Sequence, residues 1–155
     1  FDLVDASSIV EHIPDAPSML RKVRRVLRPG GLLYASFPPF YSLAMVGGHE
    51  FSPFHFLGER WAVRLTNLLR GTSHTDYASS YGSFGLYPLS IRAVARMIRG
   101  QGLELVDVYT RFSRLNTTRL PGVLQDLFTW HACFLARRPE VGDADEEQSV
   151  AGATS

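Results

Sequence analysis

A chain of 155 residues, 45% of them hydrophobic, makes one globular domain or part of one. It has no apolar run of the ~20 residues that a membrane-spanning helix requires, and its single cysteine, Cys133, excludes an internal disulfide framework and a multi-cysteine zinc site. The net charge of +1 hides an asymmetry: residues 139–155 carry Glu140, Asp143, Asp145, Glu146 and Glu147 without a lysine or arginine, so the remainder is basic.

Lys22 is the only lysine. The arginines are spread along the whole chain rather than gathered with aromatics on one face, which argues against a nucleic-acid-binding module. No basic segment precedes an apolar stretch, so no signal peptide is read, and a cytoplasmic protein without stable membrane insertion is expected.

Phe1 to Ala6 reads as a short apolar strand that stops in a polar loop, Ser7-Ser8. A strand at the first residue, which is not Met, suggests a chain that begins inside a domain. Asp15-Ala16-Pro17 starts a helix over 15–28, with Asp15 as cap and Pro17 in the first turn. Met19, Leu20, Val23, Val26 and Leu27 form its apolar stripe. Arg21, Lys22, Arg24, Arg25 and Arg28 lie largely on the other side, a solvated face or one that meets an acidic partner. Pro29-Gly30-Gly31 ends the helix, and Leu32 to Phe37 is the next strand.

Residues 40–87 form a connection longer than ordinary loops. Within it, Gly58 to Arg70 has a helical pattern with Trp61, Leu65, Leu68 and Leu69 on one side, whereas the polar, glycine-bearing stretch 71–85 suggests mobility. Ser90 caps a further helix through Arg99, with Ile91, Val94, Ala95 and Ile98 inward. Leu103 to Phe112 alternates as a strand. Ser113 to Asp126 reads as a loop with a short helix, and Phe128 to Ala136 as the last strand. Trp61 and Trp130 are expected as packing anchors and Cys133 as buried and inert. Residues 139–155 have the composition of a disordered acidic tail.

The order strand, helix, strand, insertion, helix, strand, strand is joined by five local motifs. They are Phe1-Asp2-Leu3-Val4, Glu11-His12-Ile13-Pro14-Asp15, Leu27-Arg28-Pro29-Gly30-Gly31-Leu32-Leu33, Gly102-Leu103-Glu104-Leu105-Val106 and Ala136-Arg137-Arg138-Pro139. Together they resemble the second half of class I S-adenosylmethionine-dependent methyltransferases of the small-molecule type. The resemblance implies an α/β fold: the C-terminal half of a Rossmann-like sheet, three parallel strands plus one antiparallel, with an insertion at 40–87 and a domain part spanning 1–138. The spatial order should be first, second, fourth, third. Right-handed crossovers should place the helices at 15–28 and 90–99 on one face.

The same resemblance implies S-adenosylmethionine as cofactor and a small-molecule acceptor in a longer parent protein. The glycine-rich loop and the acidic residue that holds the ribose would lie in the other half, so the chain alone should be inactive. It would expose apolar sheet surface through which it self-associates. The alternative is a non-catalytic fragment or interaction module that keeps the half-fold. An in-frame Gly-x-Gly-x-Gly segment upstream of Phe1 would favour the enzyme.

Ligands of open α/β sheets bind beyond the carboxyl ends of the strands. Ala6, Ser7 and Ser8 lie at that end of the first strand, and in the resembling family this backbone lies near the methionine part of the cofactor. Methyl transfer needs an aligned nucleophile, a dry site and sometimes a base. Glu11 and His12 are the candidates for orienting substrate or removing a proton. In the alternative reading, the pair is a structural loop element with the histidine bonded to backbone.

The aromatic and histidine-bearing insertion starts at the same end of the sheet. Phe40, Tyr41, His49 and His55 are candidates for a pocket that takes an apolar or ring-bearing substrate; the alternative is that its phenylalanines build a small core of their own. His49, Glu50 and His55 lack the helical spacing of a zinc site, and no metal is expected.

Overall fold

The computed structural model describes residues 1–43, 54–69 and 80–140. Strand β1 (Leu3–Ser7) leads through a short 3-10 turn, Val10–His12, into helix α1 (Ala16–Val26) and strand β2 (Leu32–Phe37). Helix α2 (Glu59–Leu69) belongs to the insertion. Helix α3 (Ile91–Gly100), strand β3 (Glu104–Arg111), the short helix α4 (Leu124–Phe128) and strand β4 (His131–Arg137) follow. Among the described residues no helix is long and apolar enough to cross a membrane.

The helix starts obey their caps. The Asp15 carboxylate accepts from Ser18 N at 2.9 Å, and the Ser90 hydroxyl accepts from Ala93 N at 3.1 Å, each satisfying a donor the helix itself leaves unpaired. At the other end of α1, Arg138 Nη1 donates to the carbonyls of Leu27 at 2.6 Å and Arg24 at 3.2 Å. A cation there also complements the negative end of the helix dipole.

The sheet order is β1-β2-β4-β3, with β1 parallel to β2 and β4 antiparallel to both neighbours. Strand β3 therefore runs with β1 and β2, and the expected order and directions hold. Helices α1 and α3 pack against one another and share one core. Leu20, Val23 and Leu27 meet Ile91, Val94 and Ile98 over Leu33, Ala35, Phe37, Ala132, Phe134 and Ala136. Both helices thus cover the same sheet face, as right-handed crossovers require.

The opposite face carries Leu3, Leu32, Tyr34, Leu135 and Tyr109, none of them buried. Cys133 on that face is fully buried and receives the Tyr34 hydroxyl at 3.2 Å. Burial first, and then the Cys133 contact, pushes the tyrosine's pKa up to about 12.

Several local expectations are corrected. Val26 is 48% exposed, because it lies at the border of the apolar stripe, roughly a quarter turn from its centre. Strand β4 begins at His131, not Phe128, since residues 124–128 close a helical turn whose Asp126 accepts from Ile91 N at 2.7 Å. In β3 a bulge between Leu105 and Asp107 leaves Val106 unpaired. The extra residue resets the alternation, so Leu105 and Val108 face the helices while Tyr109 faces away.

Neither tryptophan anchors packing: Trp61 is 58% and Trp130 50% exposed. Helix α2 buries its small side, Ala62, Val63 and Thr66, and leaves Leu68 and Leu69 outside. Trp61 instead receives the Arg64 guanidinium 5.8 Å from its ring centre, a cation–π contact that suits an exposed ring.

Candidate functional site

The carboxyl ends of β1 and β2 form one corner of the molecule. Ser8 turns the chain there with a left-handed backbone, φ 50°, a conformation costly for a residue with a side chain. The turn is held because Ser8 N donates to Ser36 O at 2.7 Å, extending the β1–β2 pairing by one bond. Ser7 directs both its N–H and its hydroxyl onto the Asp5 carboxylate. Ala6 is buried beneath this corner, whereas Ser7 and Ser8 are exposed.

The 3-10 turn that follows places Glu11 inward and His12 outward. Glu11 is 8% exposed, and its Oε2 has no hydrogen-bond partner among the described residues. Burial raises its pKa, opposed in part by a backbone hydrogen bond and by His12. His12 Nδ1 lies 2.7 Å from Gly85 O. A carbonyl oxygen only accepts, so the proton of the neutral ring sits on Nδ1 and the Nε2 lone pair points elsewhere. The backbone partner expected in the alternative reading is therefore present, and it also fixes the tautomer a base would need.

Of the stretch 71–85 expected to be mobile, residues 71–79 lie outside the described residues; at its end Tyr81 to Leu86 forms a closed turn, with Leu86 N donating to Tyr81 O at 3.0 Å and Gly85 at φ 70°. A glycine is required at that φ, and the second glycine of Gly82-Ser83-Phe84-Gly85 was the available signal. Tyr87 N then donates to Glu11 O at 2.8 Å. The end of the insertion is thus stitched onto both candidate residues.

The same turn meets the aromatic candidates. The Tyr81 ring lies 4.8 Å from Phe40, between ring centres, and Tyr81 N donates to Glu59 Oε1 at 2.7 Å. Phe40, Tyr41 and His55 come together, with His55 at 5.7 Å from Phe40 and 6.3 Å from Tyr41. His55 and Phe40 are buried, and Phe40 belongs to a small core with Ala62, Val63 and Tyr81. Tyr41 is exposed. The insertion has a small core to which Phe40 and Phe54 contribute, whereas Phe56 is exposed and Phe51 lies outside the described residues, and of these three aromatic candidates Tyr41 faces outward. His49 and Glu50 lie outside the described residues. Among the described residues no three His, Cys, Asp or Glu side chains gather as a metal site.

This arrangement can do simple chemistry. An oriented imidazole stands beside a buried carboxyl, one oxygen of which is unpaired among the described residues, at the ligand end of the sheet. Because the folded-state pKa of Glu11 is raised, its ionised form opposes folding. The penalty is absent below the ordinary carboxylate range and grows as pH rises through the raised value. Glu11→Gln should therefore raise the melting temperature at neutral pH and have no such effect in acid. A variant that melts lower than the parent at both pH values would show that the carboxylate has a partner and supports the fold.

Comparison with known proteins is consistent with this geometry. Residues 1–35 match the methyltransferase domain family. The chain is 33% identical over 111 residues to an uncharacterized methyltransferase of Mycobacteroides abscessus, covering 72% of this chain and 40% of the relative. It thus spans less than half the length of that curated relative. Among solved structures it is similar to an S-adenosylmethionine-dependent methyltransferase of Mesorhizobium loti, with a TM-score of 0.52 at 21% identity, covering 89% of this chain and 62% of that one. The [4+2]-cyclase SpnF shares the fold at a TM-score of 0.50 and 16% identity, covering 90% and 50%. The cyclase shows that fold alone does not fix a reaction. The chain therefore has the α/β, Rossmann-like fold of the methyltransferases, and its first 35 residues carry the match to the methyltransferase domain family.

Proposed function

We propose that this chain is the carboxyl-side part of a cytoplasmic S-adenosylmethionine-dependent methyltransferase that acts on a small molecule. It would work with a preceding segment that supplies the glycine loop. The observation that carries the reading is the joining of Glu11 and His12 to the end of the insertion, through Gly85 and Tyr87, at the carboxyl ends of β1 and β2. The mycobacterial likeness supports it.

The residues present suit one side of the cofactor. The corner Ala6-Ser7-Ser8, with Ser7 and Ser8 exposed over the buried Ala6, would meet its methionine part, and the polar groups for the adenosine would come from elsewhere. The cofactor supplies a methyl group on a sulfonium centre. His12, its Nδ1–H held on Gly85 O, offers Nε2 to take the proton of the acceptor. Glu11 orients the acceptor or the imidazole. Phe40, Tyr41 and His55 form or back the acceptor wall, with Phe40 and His55 behind it and Tyr41 at its surface. The second reading, a non-catalytic module, is favoured by the ordinary structural role that the His12–Gly85 bond can also play.

In the full-length protein, His12→Ala should lower turnover by roughly a hundredfold or more, the range for a general base, while cofactor affinity holds. His12→Asn keeps a donor toward Gly85 O but has no base, so it should be as slow. If His12→Asn restores turnover, His12 is a positioning residue. If both variants turn over like the parent, the residue is structural only.

A further inference from the structure

Helix α2 wears its large apolar side chains on the outside. Ala62, Val63 and Thr66 are buried, the first two in the small core of the insertion. Trp61, Arg64 and Leu68, spaced by three and four residues, share the opposite side, and all three are exposed. Leu68 is 73% and Leu69 70% open to solvent. Arg60 lies one turn before Arg64, and these two arginines and Trp61 line one cleft of about 250 Å³. The Arg64 guanidinium over the Trp61 ring joins the charged and apolar parts of this side. Glu59, the only acidic residue of the helix, directs its carboxylate onto Tyr81 N.

A single exposed leucine is ordinary, but a tryptophan, leucines and two arginines gathered on one helix side call for an occupant. Area and charge select it. A helix of 11 residues is ~16 Å long and ~10 Å across, so this side offers roughly 160 Å². That is far below the ~800 Å² each partner gives to a standard protein interface. A lipid surface needs no such area, because a helix side dips only ~5–10 Å into the headgroup boundary. Arg60 and Arg64 are like charges one turn apart, which repel. Anionic headgroups relieve that repulsion while the arginine stems lie along the acyl chains, and an indole ring suits the same depth. We propose that the outer side of α2 docks the protein reversibly on an anionic phospholipid surface, with Trp61 and Leu68 entering the headgroup boundary and Arg60 and Arg64 pairing with lipid phosphates. The contact is independent of the methyl-transfer chemistry.

Sedimentation with vesicles tests this in the full-length protein. At about 0.1 M salt, where the Debye length is about 10 Å, it should bind vesicles of phosphatidylcholine mixed with phosphatidylglycerol and bind phosphatidylcholine alone at least roughly tenfold more weakly. Arg60→Gln/Arg64→Gln should lower affinity for the mixed vesicles by roughly thirtyfold, about fivefold for each arginine near an anionic surface. Trp61→Ser/Leu68→Ser should lower it by roughly tenfold or more, through lost apolar burial. Because these side chains are exposed, thermal melts of both variants should stay close to the parent's. Leu135→Ser, on the sheet face that α1 and α3 leave uncovered, should bind vesicles like the parent. Equal binding to neutral and mixed vesicles, or binding that survives either α2 variant, overturns the proposal. No binding by the parent overturns it as well and leaves this side of α2 to a protein partner. Loss of binding in Leu135→Ser would assign the contact to the sheet face and overturn it too.

Discussion

Phe134→Ala should cost about 3–5 kcal/mol of stability, the range for removing a buried aromatic ring. Phe134 is fully buried on the central strand β4 and lies 5.7 Å from Phe37 in a near-parallel stack, with an interplanar angle of 10°. It sits directly over Ala35 in the β2 pairing and beside Val108 of β3. Its loss would leave a hole where both sheet neighbours and the two helices meet, and a close-packed interior does not collapse to fill it. Since a domain's net stability is only ~5–15 kcal/mol, the variant should be largely unfolded at 37 °C by circular dichroism. A loss below about 1 kcal/mol in urea melts would mean that the helix-covered face is not the main core.

The second large effect is association. The face opposite α1 and α3 carries Leu3, Leu32, Tyr34, Leu135 and Tyr109 without burying any of them, and β1 is an edge strand of the described sheet. A few hundred Å² of bare apolar surface, at ~25 cal/mol per Å², withholds roughly 5–10 kcal/mol. An open edge adds unpaired backbone donors and acceptors. The 155-residue chain alone should therefore sediment as a dimer or larger species, and a charge on this face, Leu135→Lys, should shift it toward monomer. A monodisperse monomer with a cooperative melt above ordinary mesophile temperatures would show that the chain is a self-sufficient domain.

Much of the fold was legible because its signals are local. Asp15 and Ser90 cap because a short polar side chain before an apolar stripe has few other uses, and the strand order followed from the resemblance and from crossover handedness. What was missed is non-local. Asp126 bonding Ile91 N, and Arg138 bonding the end of α1, join residues 35 and 111 positions apart, and no spacing rule announces them. Helix α2 misled because Trp61, Leu68 and Leu69 look like a core stripe, while the space beside Phe40 takes Ala62 and Val63. At the site, Glu11 and His12 were legible from one loop motif. Their tie to Gly85 and Tyr87, more than 70 residues on, was not.

In the proposed reading this sheet corner is the carboxyl-side part of an S-adenosylmethionine site that a preceding segment completes. Calorimetric titration of S-adenosylmethionine into the full-length protein and into the 155-residue chain tests it most directly. Micromolar binding is expected to the former and none to the latter. Micromolar binding by the 155-residue chain alone would contradict the division of the site, and no binding by either would contradict the methyltransferase reading.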